Sequence, residues 1–387
     1  MGEPPGERLA AVNAGWRRAS FLELFFDLAF VFALNQVSLR LIKSFGSGGH
    51  LPFREAAPTV LQFLAFWILW LSMIALASRL HPDSFPVQIA VITSTAGAVV
   101  MGVAVARGFE EHGLVFASGY AFARTTRAIL ILAFRRTHVI PVRVLFAITA
   151  SSVPWMVGAL VDDPFLRSVL WAFALALDYC GFAFGYQRLM GAPVAGEHLA
   201  ERFQQFYLII LGEIIFVAGR ALADSDFGPP SWTGLGLAFI STVLLWWIYF
   251  YRAGFTLPAA ITRARNPVRE SVAIAGSHTL MIGGVVLAGV GFDLYIAEPL
   301  GRRQPDWLIA ILGGPALFLA GRILFERQIF GWISRSRLAG LLALGLLIPA
   351  TWYLRPLAAG AGATAVLAGV AGTDAWRGRS RQPEARW

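Results

Sequence analysis

Residues 21–41 read FLELFFDLAFVFALNQVSLRL. At 1.5 Å per residue, a helix of this length crosses the roughly 30 Å hydrocarbon core of a bilayer. Phe, Leu, Ala and Val fill it, and yet it carries Glu23, Asp27, Asn35 and Ser38. Glu23 and Asp27 stand four apart and so share one helix face. The stripe continues through Val31 to Asn35 and Ser38, about 22 Å along the axis. An acid inside a span needs a partner, a proton or a job, so such residues mark candidate functional sites. Glu23, closest to the start of the span, could also sit among headgroups and pair with arginines.

Outward from this segment, stretches of spanning length recur at 58–79, 86–106, 113–134, 141–161, 165–189, 203–223, 232–251, 272–296, 306–326, 337–354 and 356–373. Breakers separate them: His81-Pro82-Asp83, Arg135-Arg136, Asp162-Asp163-Pro164, Gly228-Pro229-Pro230, Asn266-Pro267, Glu298-Pro299 and Arg355-Pro356. Over the 387 residues, 57% are hydrophobic and 14% charged. A soluble domain carries about a quarter charged residues. The expected fold is an all-α, polytopic transmembrane helix bundle of about 12 spans, with 10–12 as the range. Residues 1–20 are expected as a cytoplasmic N-terminal segment, 21–373 as the transmembrane domain and 374–387 as a polar cytoplasmic tail. No small-residue cleavage site follows a short apolar stretch near the start, so the first span is expected to act as its own insertion signal.

The net charge is +9, carried almost wholly by arginine, with Lys43 the only lysine. In a soluble protein that balance suggests nucleic acid. Here the arginines cluster in alternate short loops (Arg17-Arg18, Arg135-Arg136, Arg263 and Arg265), which orients helices and places both termini in the cytoplasm. The expected location is the cytoplasmic (inner) membrane, with membrane lipid as neighbour and no nucleic-acid partner. The oligomeric state is not legible. Cys180 is the single cysteine; it excludes an internal disulfide and a CxxC site. HExxH, P-loop and GxSxG motifs are missing as well, so no cofactor and no metal are expected.

An offset of 178 residues aligns Glu23-Leu-Phe with Glu201-Arg-Phe and Asn35 with Glu213. Two parallel six-helix halves, 21–189 and 203–373, would follow, as in some transporters. In the seventh span Glu201, Gln205, Ile209, Glu213 and Arg220 fall along one face, and Glu213 lies near mid-bilayer. Gly212 beside it would let another helix approach. Arg124 and Arg127, three apart on the fourth span, are candidate counter-charges for Asp27, Asp178 or Glu213. A buried ion-pair network can be purely structural; the same arginines suit an anionic substrate. His278 lies well inside the ninth span, either as a hydrogen-bonded packing residue or as a proton handler. The glycines that follow it read as helix-packing positions. Trp16, Trp246, Trp247, Tyr249 and Tyr251 read as interfacial anchors.

At these residues the chain resembles the bacterial low temperature requirement A (LtrA) family. The resemblance rests on Glu23-Leu-Phe-Phe-Asp27-Leu-Ala-Phe-Val-Phe-Ala with Gln36-Val-Ser38, and on His198-Leu-Ala-Glu201-Arg202-Phe203 leading to Leu211-Gly212-Glu213. Trp246-Trp247-Ile-Tyr249-Phe250 and the His278 span add to it. It covers roughly residues 20 to 355. Where family members often carry an acid after the Trp-Trp run, this chain has Tyr251 and Arg252, so a role for that acid does not transfer. The resemblance implies a multi-span membrane protein in which both acidic motifs matter, Arg202 included. The family name reports growth in the cold and supplies no substrate.

Two functions fit. One is a secondary transporter or ion or solute pathway, in which Glu23, Asp27, Asn35, Glu201 and Glu213 handle a proton, cation or substrate. Arg124, Arg127, Asp178, Arg202 and His278 would be their charge partners. The other is an intramembrane acid-base enzyme acting on a lipid or isoprenoid, with a buried acid as proton donor and aromatic faces stabilising a cation. A sensing role is the weakest reading, since no output domain is visible.

Overall fold

The computed structural model describes residues 20–46, 53–78, 84–107, 109, 111–133, 150–185, 196–263, 267–301, 304–351 and 353–380. They form helices α1 (Phe21–Gly46), α2 (Phe53–Ala77), α3 (Phe85–Arg107), α4 (Gly113–Ala133), α5 (Ser152–Leu160) and α6 (Pro164–Cys180). A π-helical turn, Gly181–Gly185, continues α6. Then come α7 (Gly196–Ala223), α8 (Pro229–Arg263), α9 (Pro267–Ala297), α10 (Trp307–Ile311), α11 (Gly313–Phe330), α12 (Arg335–Thr351) and α13 (Pro356–Ser380). No strand occurs among the described residues. Nine helical segments there are long and apolar enough to cross a membrane. The protein is a polytopic helical membrane bundle.

Where residues are described, the expected spans are mostly helix, with non-helical residues at some ends (Ser78, Val161, Asp306, Tyr353 and Leu354) and single turns at Ser151 and Leu312. Three helices fall outside the nine for evident reasons. Arg124 and Arg127 hold down the hydropathy of α4, α12 has only 17 residues, and α5 is the described part of a stretch whose residues 141–149 lie outside the described set. The breakers His81-Pro82-Asp83 and Arg135-Arg136, and Trp16, also lie outside it.

Prolines open helices where the sequence placed boundaries: Pro164, Pro229, Pro267 and Pro356 each start one. Proline tolerates a first turn because its missing N–H would be unpaired there. Asp163 adds a cap to α6, its Oδ1 accepting from the backbone N–H groups of Phe165 and Leu166 at 2.7 and 3.2 Å. Two extents differ from expectation. α7 starts at Gly196, so His198, Glu201 and Arg202 are helical from the outset. α13 runs to Ser380, so the first residues of the expected polar tail are helix.

The chain divides into two compact units: 1–41, 51–206 and 258–272, and 42–50, 207–257 and 273–387. Boundaries between the units fall within α1, α7, α8 and α9.

In the first unit α3 and α4 meet at glycines. A Cβ at Gly97 would lie 2.7 Å from the Gly119 carbonyl oxygen, and one at Gly119 3.0 Å from that of Gly97. Only bare backbones permit this approach. Two aromatic groups fill the rest. Phe109, Phe116, Tyr120, Trp155 and Trp171 form one, with Trp155 and Trp171 centroids 4.7 Å apart. Trp67, Trp70, Phe203 and Phe206 form the other. Arg167 ties the turn between α5 and α6, donating to the carbonyls of Gly158, Phe109 and Val161 at 3.2, 2.7 and 2.8 Å.

In the second unit α9 and α11 pack through facing glycines. A Cβ at Gly284 would collide with the Phe318 backbone, and one at Gly314 would lie 2.5 Å from the Ala288 nitrogen. The glycines after His278 are packing positions, as read. Gly212 is a correction: among the described residues a Cβ there meets nothing within 4 Å, so no described helix packs closely on it.

Candidate functional site

The polar stripe of α1 begins with a local device. Ser20 precedes the helix and Glu23 is its third residue. Glu23 N–H donates to Ser20 Oγ (3.3 Å), while Ser20 N–H and Oγ–H donate to Glu23 Oε2 (2.8 and 3.1 Å). This is a capping box. The S-x-x-E pattern was present in the sequence, and the reading of Glu23 as a headgroup partner overlooked it.

One turn on, Asp27 is fully buried. Its Oδ1 accepts from Arg202 Nη2 at 2.6 Å and from Trp70 Nε1 at 2.9 Å. Arg202, also fully buried, donates Nη2 to the Glu23 backbone carbonyl (3.0 Å), and its Nε lies 3.9 Å from Glu23 Oε1. His198, one turn earlier on α7, puts Nε2 3.2 Å from Glu23 Oε1. Arg202 Nη1 reaches Gln205 Oε1 at 3.4 Å, and Gln205 Nε2 donates to Glu201 Oε1 at 2.9 Å. Glu23, Asp27, His198, Glu201, Arg202 and Gln205 thus form one network in the first unit, with Trp70 from α2.

The i, i+4 spacings set this geometry. Glu23 and Asp27 on α1 face His198 and Arg202 on α7, each pair one turn apart. Among the described residues, two carboxylates here share one permanent cation, Arg202. Burying that imbalance is costly unless a proton on His198, a protonated carboxyl or a bound cation completes it.

A model of the family described as Bacterial low temperature requirement A protein (LtrA) matches residues 18–372. The chain belongs to that family. An uncharacterized protein of Rhizobium meliloti (strain 1021) is 34% identical to this LtrA protein over 341 residues, covering 84% of this chain and 81% of the relative. No solved structure matches.

The counter-charge for Asp27 in this LtrA protein is Arg202, and not Arg124 or Arg127. Arg124 Nη2 lies 2.6 Å from Asp178 Oδ1, and its Nη1 donates to Tyr120 Oη at 2.9 Å. Tyr120 in turn donates a short hydrogen bond to Asp178 Oδ2. Arg127 donates Nη1 to Ser72 Oγ at 2.8 Å. Asn35 is half-buried, and Ser38 at the end of the stripe bonds its own helix through Leu34 O (3.3 Å). Glu213 is buried on α7 in the second unit.

His278 is buried in the second unit. Its Nδ1 faces the Ile274 carbonyl at 2.9 Å and its Nε2 the Tyr249 hydroxyl at 2.9 Å. A carbonyl can only accept, so Nδ1 carries the proton and Nε2 accepts from Tyr249. This fits the hydrogen-bonded packing residue. Tyr249 is buried and stacked on Tyr207 at 3.8 Å; the reading of it as an interfacial anchor is corrected. Trp246 does remain exposed.

Sequence reasoning missed a second ionic chain. Arg322 lies 3.4 Å from Glu326, Glu326 lies 3.0 Å from Arg337, and Arg337 lies 2.8 Å from Asp374. All four are buried. Arg322 and Glu326 stand four apart inside an apolar span, a signal the sequence held. Arg337 is the first residue of the expected span 337–354, and Asp374 the first of the expected tail. Asp293 with Arg220, 3.3 Å apart, was also missed. Among the described residues no group of three or more His, Cys, Asp and Glu could hold a metal ion.

Proposed function

We propose that this LtrA-family protein is a secondary transporter or an ion or solute pathway of the cytoplasmic membrane, with both termini cytoplasmic. The observation that carries the reading is the buried charge imbalance at Glu23, Asp27 and Arg202. Two acids held by one arginine, with His198 in contact, form a place where one added positive charge changes every partner. When a proton or cation arrives, Arg202 loosens its hold on one carboxylate. That exchange links ion occupancy to the hold of α7 on α1. Glu201, joined through Gln205, extends the network toward the start of α7. Glu213 and Asn35 would be further polar stations.

The test is uptake into proteoliposomes, with and without a proton gradient, across a broad panel of small solutes and cations. Gradient-dependent flux is expected for at least one solute and is lost in Asp27→Asn and Arg202→Gln. Intact, folded protein that moves nothing in the panel sinks the reading.

The rings beside Asp27 favour a second reading. Trp70, bonded to Asp27, stacks on Trp67 at 5.0 Å and lies 4.5 Å from Phe206. Aromatic faces next to a buried acid suit carbocation chemistry on a lipid or isoprenoid. Lipid profiling of a deletion strain separates the two: an unchanged lipidome removes the enzyme.

A further inference from the structure

Helix α4 carries two buried arginines, three residues apart on one face, and the fold treats them differently. Arg124 is neutralised, with Asp178 Oδ1 at 2.6 Å and Tyr120 as a further partner. Both oxygens of Asp178 are thereby used, one by Arg124 and one by Tyr120. Arg127 has 5% of its surface exposed and forms no ion pair among the described residues. Its one polar partner there is Ser72 Oγ, at 2.8 Å. That hydroxyl in turn gives its own proton to Leu69 O at 2.9 Å. Asp178 is near enough for its field to reach Arg127, but it is already matched by Arg124.

A guanidinium cannot shed its proton in a protein, so Arg127 stays charged. A charge in a membrane interior, met only by a hydroxyl dipole, is costly and tends to mark a ligand path. Its planar fork matches an oxyanion in a two-point contact.

We infer that Arg127, braced by Ser72, is a buried binding site for one small oxyanion of carboxylate or phosphate type. The oxyanion supplies the negative charge that Asp178 cannot give twice. Arg124 and Tyr120 stay committed to Asp178, which leaves Arg127 to receive the oxyanion. The oxyanion can be a free solute or the phosphate of a lipid headgroup; the chemistry is the same, and the experiment distinguishes them. The site shares no residue with the Glu23–Asp27–Arg202 cluster. Equilibrium binding without a gradient can therefore fail while the transport reading stands, and flux can fail while binding stands.

The experiment is isothermal titration of the full chain, delipidated in a sugar-headed detergent and a zwitterionic buffer. One arm titrates acetate and inorganic phosphate, the other phosphatidylglycerol in mixed micelles. Saturable binding of one oxyanion per chain is expected in at least one arm. Arg127→Gln abolishes it. Arg127→Lys, which keeps the charge and loses the fork, weakens it by about tenfold. Should the Gln variant not fold, the contrast between wild type and Arg127→Lys carries the test. Absence of saturable binding in both arms overturns the site, as do Gln or Lys variants that bind like wild type.

Discussion

Removing Arg202 tests the central cluster most directly. Arg202→Met keeps the side-chain volume and deletes the cation that holds Asp27 at 2.6 Å and touches Glu23 at 3.9 Å. With each charge spread over its group, the effective separation is about 4 Å. At an effective dielectric constant of ~20 the attraction is then about 4 kcal/mol. Leaving a buried carboxylate without its partner costs about 3–5 kcal/mol, in agreement. Asp27→Asn is milder, since its amide oxygen still accepts from Trp70; a loss of about 1–3 kcal/mol is expected. In the double variant the orphaned charge is gone, so the losses must not add. The interaction energy should be about 2–3 kcal/mol, the upper range for contacting residues. The assay is reversible unfolding of the four proteins in maltoside micelles with increasing dodecyl sulfate, followed by far-UV circular dichroism. Additivity within about 0.5 kcal/mol would mean that the pair is not coupled and that the cluster is not the unit described here.

Further outcomes follow from the same contacts. Ser20→Ala removes one half of the capping box and should cost about 1 kcal/mol, seen as faster amide exchange in the first turn of α1 with the rest unchanged. Gly119→Val drives a branched side chain into the Gly97 carbonyl, so α3 and α4 must separate; a lowered melting temperature is expected, and an unchanged one would show that the helices are not in that contact. Arg337→Leu strips Asp374 of its 2.8 Å partner and Glu326 of its 3.0 Å partner, and proteolysis near residues 374–380 should accelerate severalfold. Arg127→Gln removes a charge that no described residue pairs, so in oxyanion-free detergent its melting temperature should equal or exceed that of the wild type, whereas Arg124→Gln should lower it.

Much of the molecule was legible before its coordinates. Apolar stretches of spanning length fold as helices because each must satisfy its backbone hydrogen bonds internally in a bilayer. Their ends fall at Pro164, Pro229, Pro267 and Pro356, since proline stops one helix and suits the first turn of the next. The one-turn spacing of Glu23 and Asp27 was likewise a property of the chain. The capping box, and the Arg322–Glu326 pair four residues apart in an apolar helix, were equally local and simply went unread.

Pairing was different. Nothing in sequence distance says that Arg202, 175 residues from Asp27, is its counter-ion and Arg124 is not. Nor does it say that Tyr249 is buried against His278, or that Asp374 holds Arg337. Those choices depend on which helix faces meet. The meeting is decided by close-packed surfaces such as Gly97 on Gly119, summed over the bundle, and not by any one segment. The sequence by itself determined that ionisable residues would lie inside the spans. The tertiary structure alone decided which of them are matched, which leave two acids to one arginine among the described residues, and that Arg127 meets the Ser72 hydroxyl there. Charges buried in a low-dielectric interior are satisfied by neighbours in space, and a linear chain does not name its neighbours.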